Sequence, residues 1–490
     1  MSAATSESPH RLAHAPGSLA ELLAIALPLM LSAATQSIMH VIDRVFLTWH
    51  SEAELAAALP AGILYWSCLS FPFGIAAYVN TFVAQYDGAG KPERVAAAIW
   101  QGVYFSIIAG AILTLAAPWS ERIFTLIGHE AVVAGHEATY FRWLCLGAMP
   151  AILHTALSAF YSGRGKTRVV LAVNVACVGV NAVLDYAMIF GWGPFPEWGI
   201  AGAAMTDSLA ELLAVLMFVG LLSRKSIQQH YPILKSWRYD RRLMADLFKF
   251  GGASGLQMFI DVAGFTAFMM IIGWIGSKEL AATNIAFNLN TLAFIPVIGI
   301  GIAVSTLVGQ RIGEGQPHLA AVSTWKGFGL AGAYMLAFGA IYTLLPEALI
   351  LPYAAKADPA EFAGIRNTVT ILLRFVAVYS FFDAMAIVFG SAIRGAGDTR
   401  FSMLVAFLSA WLLLVLPSYF WWRWWGPNLF ASWTFCAVYV IALGFIYLAR
   451  FQYGAWRTMS VIHRGETPAL VANTDAEPVL SLVAESAGGS

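Results

Sequence analysis

Twelve long, nearly charge-free apolar stretches limit what this chain can fold into. They fall at about 18–49, 53–85, 95–118, 138–161, 168–192, 198–223, 246–276, 280–310, 320–346, 364–393, 401–425 and 430–451. A hydrocarbon core about 30 Å thick is crossed by roughly 20 helical residues, so each stretch is long enough to span. Lipid offers backbone amides no partners, which leaves only helices or closed barrels. Barrel strands would alternate apolar and polar with period two over about ten residues. These runs are longer and apolar at successive positions. The fold class read here is therefore all-α: a polytopic membrane protein with twelve transmembrane helices. Only 11% of the 490 residues are charged, against about 25% in soluble domains, so the polar surface of a soluble enzyme is missing. Lys+Arg and Asp+Glu number 28 each, and no basic excess points to nucleic acid. Cys68, Cys145, Cys177 and Cys436 lie in apolar runs without a C-x-x-C and read as small buried hydrophobes.

The joints between spans carry the orientation. Even-numbered loops hold most of the basic residues, among them Lys91, Arg94, Arg164, Arg224, Arg241, Arg242, Arg311, Arg394 and Arg400, whereas the odd-numbered loops hold few. The positive-inside rule then places both termini and the Arg224–Arg242 linker in the cytoplasm. The polar N-terminus has no apolar core of a signal peptide and reads as a cytoplasmic tail. The organisation expected is a tail at 1–17, an N-lobe at 18–223, a linker at 224–245, a C-lobe at 246–452 and a disordered tail at 453–490.

The two halves repeat. Glu54-Leu-Ala-Ala57 returns as Glu279-Leu-Ala-Ala282, 225 residues later. Gln85, Gly90 and Pro92 return as Gln310, Gly315 and Pro317 at the same offset. Gly163-Arg-Gly-Lys-Thr-Arg168 is matched by Gly395-Ala-Gly-Asp-Thr-Arg400. Each half has six spans, so both enter the membrane from the same side. The lobes of such a parallel repeat are related by an axis along the membrane normal, with the transport site between them.

Ionisable groups at membrane depth are costly, about 2.5–3.5 kcal/mol on insertion scales, so those present mark cavities. Gln36, His40 and Asp43 recur at i, i+4, i+7 on the first span and share a face. Pro28 on the same span removes a backbone hydrogen bond. Asn174, Asn181 and Asp185 form a stripe at i, i+7, i+11 on the fifth span. Their hard oxygens suit Na⁺, or a carboxyl that carries H⁺, or an interhelical hydrogen-bond network without an ion. In the second half the i, i+4 pairs are Gln257 with Asp261, Asn284 with Asn288, and Tyr379 with Asp383. They line a cavity if their faces converge. Asp207 and Glu211 are one turn apart on the sixth span, read either as an interacting pair or as charges in water near a helix end. His154 reads as a buried histidine with a hydrogen-bond partner, and Trp421-Trp-Arg-Trp-Trp425 as an interfacial aromatic belt.

Together these features resemble the multidrug and toxic compound extrusion (MATE) family, over about residues 18–450. The likeness rests on the Pro28–Asp43 span, Asn181-Ala-Val-Leu-Asp185 with Ile189-Phe-Gly191, Gly199-Ile-Ala-Gly-Ala-Ala204, the paired Pro72…Gly90 and Pro296…Gly315 segments, and Arg394-Gly-Ala-Gly-Asp-Thr-Arg400. The resemblance implies two six-helix lobes in a V in a bacterial inner membrane. It implies a monomer with no cofactor or resident metal that exports amphipathic, mostly cationic small molecules in exchange for H⁺ or Na⁺. It places cation or proton coupling at Asp43, Asn181 and Asp185, and at Asp261, Tyr379 and Asp383, with Na⁺ binding transiently at either set. Gln36, His40, Asn174 and Gln257, which share helical faces with these acids, and Asn284 and Asn288, which share one with each other, are the candidate cavity-lining residues. Asp261 stands where NorM-like members typically carry Glu, a side chain one methylene longer. With acids in both lobes the chain looks NorM-like.

Two rivals are weighed against this. A lipid-linked glycan or lipid flippase of the same superfamily would carry basic residues in the cavity to meet pyrophosphate, whereas the acids dominate here. An intramembrane transferase would need a clustered His/Asp or metal motif, and no HExxH, H-x₄-D or Walker A sequence occurs. The chain is read as a transporter and not an enzyme.

Overall fold

The computed structural model describes residues 15–127, 130–354 and 359–462. Among these, every regular element is helical. Eleven helices are long and apolar enough to cross a membrane: Leu19–His50, Glu52–Gly88, Pro92–Leu126, Thr167–Phe190, Ile200–Leu222, Arg241–Ile275, Ser277–Gly313, Pro317–Leu344, Gly364–Ala396, Thr399–Trp425 and Leu429–Tyr453. A twelfth is the pair Ala131–Leu146 and Ala148–Gly163, which meet at 42°. In chain order this pair is the fourth span, so Thr167–Phe190 is the fifth and Ile200–Leu222 the sixth. Arg241–Ile275 and Ser277–Gly313 are the seventh and eighth.

Local chemistry sets the ends. Ser18 accepts the Glu21 N–H at 3.1 Å while the Glu21 carboxylate takes the Gly17 N–H at 2.6 Å, a variant of the capping box. The repeated Gly-x-Pro segments are the same device twice. Gly90 and Gly315 turn at φ +68° and +74°, and Pro92 and Pro317 open the next helix, where a missing N–H costs nothing. Two interruptions had no counterpart in the hydropathy pattern: π-turns at Leu247–Gly251 and Ala410–Val415. Three of the four cysteines are buried as expected, but Cys68 is exposed.

The first span packs on the eighth, and the second on both the seventh and the eighth. The pairings of first with eighth and of seventh with second are exchanged by a two-fold axis relating the halves. The halves touch near the end that carries the termini and the linker. There the Gln85 amide donates to the Gly395 carbonyl at 2.9 Å, and its repeat mate Gln310 donates to the Gly163 carbonyl at 3.0 Å. The backbones meet without spacers. A Cβ at Gly88 would lie 2.1 Å from the Gln310 carbonyl oxygen, and one at Gly313 2.1 Å from that of Gln85. Asn80 bonds Thr306 at 3.0 Å, and Arg311 forms a buried ion pair with Glu21.

The C-terminal segment corrects one expectation. Disorder was expected from 453, yet Trp456 stacks on Phe451 at 4.9 Å and Val461 and Ile462 join the buried N-lobe core. The side-chain Oε1 of Gln85 accepts from Ser460 Oγ and Val461 N, both at 2.9 Å. This stretch thus straps the C-lobe to the N-lobe. Residues 1–14 and 463–490 lie outside the described residues.

Candidate functional site

The fifth and sixth spans are drawn together by a missing side chain. A Cβ at Gly202 would lie 2.7 Å from the Met188 carbonyl oxygen, so the two helices approach to backbone contact. One turn further along the sixth span, Thr206 and Asp207 therefore meet the polar stripe of the fifth. Thr206 Oγ1 donates to the Asp185 carboxylate, and the Asn181 amide donates to Asp207 at 3.4 Å. The first span adds Asp43 to the same buried cluster. Asp43 and Asp185 are close enough for their carboxyl groups to interact, by charge when both are ionised and by a shared hydrogen bond when one carries a proton. One ligand atom from each of His40, Asp43 and Asp207 lies within 4.8 Å of the others. Asp43, Asn181, Asp185, Thr206 and Asp207 are all buried, whereas the His40 ring is 60% exposed and stands 3.8 Å from Asp43.

What the cluster lacks matters as much. Both oxygens of Asp43, Asn181 Oδ1 and Asp185 Oδ2 are buried without a hydrogen-bond partner. Buried polar atoms are nearly always paired, and buried carboxylates are paired, protonated or bound to a cation. Among the described residues, no Lys or Arg forms an ion pair with Asp43, Asp185 or Asp207. The donor set is oxygen throughout apart from the His40 ring, which suits a proton or a hard cation.

A second polar group lies one turn further along the sixth span. His154 Nδ1 meets Glu211 Oε2 at 2.6 Å, and the imidazole stacks on Phe218 at 5.6 Å. With Gln36 and Asn174 these two line a cavity of about 20 Å³, room for one water. The Asn174 amide donates to Ser32 at 2.7 Å and leaves its own carbonyl oxygen unpartnered. His154 does have the hydrogen-bond partner expected. The bland reading of Asp207 and Glu211 as charges in water is corrected: Asp207 is buried against Asn181, and Glu211 is spent on His154.

The second lobe is looser. The Gln257 amide reaches the Tyr447 hydroxyl at 3.5 Å, and Gln257 Oε1 is buried and unpartnered. Tyr379 is buried, Asp383 half-buried, and Asp261, Asn284 and Asn288 are exposed. Asp261 and Asp383 both face the Tyr439 phenol electrostatically. Among the described residues, no hydrogen bond or ion pair joins Asp261, Asn284, Asn288, Tyr379 and Asp383 to one another. The three faces therefore do not close into one bonded site in this conformation. Asp207, Glu211 and His154 were singled out one by one in the sequence, but Thr206 and the contacts Thr206–Asp185, Asn181–Asp207 and His154–Glu211 were not. Their one detectable signal was the small-residue run Gly199-Ile-Ala-Gly-Ala-Ala204 ahead of two acids, which brings a helix close enough to deliver them.

Two six-span lobes joined at one end, with a buried carboxylate cluster inside the first, define a polytopic membrane transporter. The family model described as MatE matches residues 28–187 and 253–420, and the chain belongs to the MATE family. It is 25% identical over 448 residues to a probable multidrug resistance protein NorM of Thermotoga maritima, covering 91% of this chain and 94% of that one. It is 29% identical over 406 residues to the multidrug resistance protein NorM of Burkholderia vietnamiensis, covering 82% and 87%. In fold it is similar to an outward-facing multidrug resistance MATE family transporter of the MOP superfamily. The TM-score is 0.82 at 18% identity, covering 91% of this chain and 99% of that one. A MOP superfamily transporter from Pyrococcus furiosus matches with a TM-score of 0.80 at 17% identity, covering 92% and 100%.

Proposed function

We propose that this protein is a secondary active multidrug efflux antiporter. It exports amphipathic, mostly cationic compounds in exchange for H⁺ or Na⁺ by alternating access. The relatives named multidrug resistance protein NorM support the export of drugs, and the acids at membrane depth support a cationic cargo. The observation that carries the coupling is the set of partnerless oxygens on Asp43, Asn181 and Asp185. Three buried carboxylates at this separation cannot all stay ionised without a counter-charge. In one state the cluster takes up a proton or cation. In the other it gives the ion up, and the freed negative charge favours a cationic drug in the cleft.

The first span links this event to the lobes. Its early turns pack against the eighth span, where a Cβ at Gly299 would lie 2.6 Å from the Met30 backbone nitrogen. Pro28 beside that contact frees the helix to bend, while Asp43 rides on the far half. An ion shifts the lobes only by its differential affinity for the two states, so coupling requires Asp43 to change surroundings between them. Asp261 and Asp383 form a second, more open acidic set in the other lobe, suited to a drug cation or a second ion.

Ethidium or norfloxacin efflux from everted vesicles, with pH and Na⁺ gradients imposed separately, tests the reading and assigns the ion. Export driven by one gradient supports it. No response to either gradient removes the antiporter reading and favours a lipid or lipid-linked oligosaccharide flippase.

A further inference from the structure

The segment between the lobes does not hang in water. Trp100 Nε1 donates to the Ile233 carbonyl at 2.7 Å, and the Tyr104 hydroxyl donates to the Trp237 carbonyl. Both donors lie on the third span, two to three turns past its start at Pro92. Trp100 and the exposed Trp119 are 19 residues apart on this stretch. At about 1.5 Å per residue that is about 29 Å, close to the roughly 30 Å hydrocarbon thickness. Tryptophans mark the two interfaces of a bilayer, so Ile233–Tyr239 lies at headgroup depth along the flank of the third span. Its outward side chains agree. Trp237 and Tyr239 are 59% and 61% exposed, and Leu234 and Phe248 are exposed beside them. Tyr239 packs edge-near on Tyr104 at 6.2 Å, and Phe248 on Phe105 at 5.6 Å. Leu243, Met244 and Leu247 bury the other side in the N-lobe core.

Between this segment and the start of the third span is a groove of about 500 Å³, lined by Glu93, Arg94, Arg238, Tyr239, Arg241 and Arg242 among others. Its charges are not balanced internally. Asp240 is fully engaged: Arg94 Nη1 holds one oxygen at 2.7 Å, and the backbone N–H groups of Arg242 and Leu243 hold the other at 3.0 Å. Burial pushes the Asp240 carboxyl up, yet these donors outweigh it and keep the group below the usual carboxylate range. Arg238, Arg241 and Arg242 are exposed, and no ion pair among the described residues engages their guanidinium groups. Of the two acids that line the groove, Asp240 is thus committed and Glu93 is exposed.

We propose that this groove binds the phosphate headgroup of an anionic diacyl phospholipid, with Arg238, Arg241 and Arg242 meeting the headgroup and Trp237 and Tyr239 flanking its glycerol region. Guanidinium groups hold phosphate oxygens in bidentate pairs. The aromatic rings at headgroup depth favour a bilayer lipid over a phosphate free in water. A lipid bound here touches the N-lobe and the strand of chain that enters the C-lobe, so it steadies the tether between the lobes.

The test uses the purified full-length transporter and reads its thermal midpoint and lipid retention by native mass spectrometry. The probes are dioleoyl phosphatidylglycerol, dioleoyl phosphatidylcholine and inorganic phosphate. Phosphatidylglycerol should raise the midpoint and stay bound, whereas phosphatidylcholine and inorganic phosphate should do neither. Each cation near a charged surface is worth about fivefold in affinity, so the triple variant Arg238→Ala, Arg241→Ala, Arg242→Ala should weaken phosphatidylglycerol binding by about a hundredfold. Its midpoint without lipid should match the wild type, and Arg423→Ala at the far end of the eleventh span should behave as wild type. If the triple variant does not give folded protein, Arg238→Gln alone decides, with an expected loss of about fivefold. Undiminished phosphatidylglycerol binding in the folded variant overturns the proposal. So does a full stabilisation by inorganic phosphate, which makes the groove an aqueous anion site.

Discussion

At the residue scale the account rests on a few oxygens. Asp43 buries two carboxylate oxygens to which no amide, hydroxyl or guanidinium among the described residues donates a hydrogen bond. Asp43→Asn keeps the shape and removes the ionisation. Allosteric coupling energies of 1–3 kcal/mol correspond to about 5–150-fold, so gradient-driven efflux from vesicles should fall by at least about tenfold, while drug binding without a gradient survives. Asp383→Asn should cost less, because Asp383 has no partner in a closed cluster. Equal losses would shift the coupling to both lobes. The His154–Glu211 contact gives a different prediction. Glu211→Leu leaves the imidazole without its acceptor in a mostly buried place, and breaking a buried pair costs about 3–5 kcal/mol. The purified variant should melt well below wild type, and Glu211→Gln, which keeps an acceptor, much less so. Asp43, Asn181 and Asp185 were legible because helical spacing alone puts polar residues on one face. Thr206 and the Asn181–Asp207 and His154–Glu211 contacts were not, since each depends on which span neighbours which, and periodicity within one helix carries no such information.

At the element scale the decisive feature is how closely the fifth and sixth spans approach. Helix association in lipid is driven by packing and interhelical hydrogen bonds, with small residues at the contact. Gly202→Leu puts a side chain where a Cβ already falls 2.7 Å from the Met188 carbonyl oxygen. Overpacking of this kind costs about 1–3 kcal/mol. It should lower the thermal midpoint and also weaken ion coupling, because Thr206 and Asp207 are carried away from Asp185 and Asn181. A variant that loses stability but couples normally would show that the cluster does not need this approach. The spans themselves were read correctly from hydropathy, apart from a few residues at their ends. The bend in the fourth span and the two π-turns were hidden, because a local i+5 hydrogen bond leaves the apolar run unbroken.

At the scale of the whole molecule the repeat seen in the sequence becomes a clasp. Gln85 and Gln310, matched at one offset, reach across to the opposite lobe. The repeat predicted their equivalence, but not that Gln85 would also hold the C-terminal strap through Ser460 and Val461. That contact joins residues some 375 positions apart, beyond any local pattern. Intramembrane hydrogen bonds average about 0.6 kcal/mol and reach about 1.7. The double variant Gln85→Ala, Gln310→Ala should therefore tip the lobes toward separation at this end. Spin labels at Glu93→Cys and His318→Cys should report a longer distance component by pulsed electron resonance. An unchanged distribution would mean that the backbone contacts at Gly88 and Gly313 hold the closure alone. The central claim, that one buried cluster binds drug-competing ions, is tested most directly by adding norfloxacin or ethidium to the purified transporter. The reaction is carried out in weak buffer with and without Na⁺, and the protons or Na⁺ released per protein are counted. The account predicts ion release from the wild type on drug binding, because coupling between two ligands is reciprocal, and none from Asp43→Asn. Equal release from both proteins, or drug binding indifferent to ion concentration in the wild type, would contradict it.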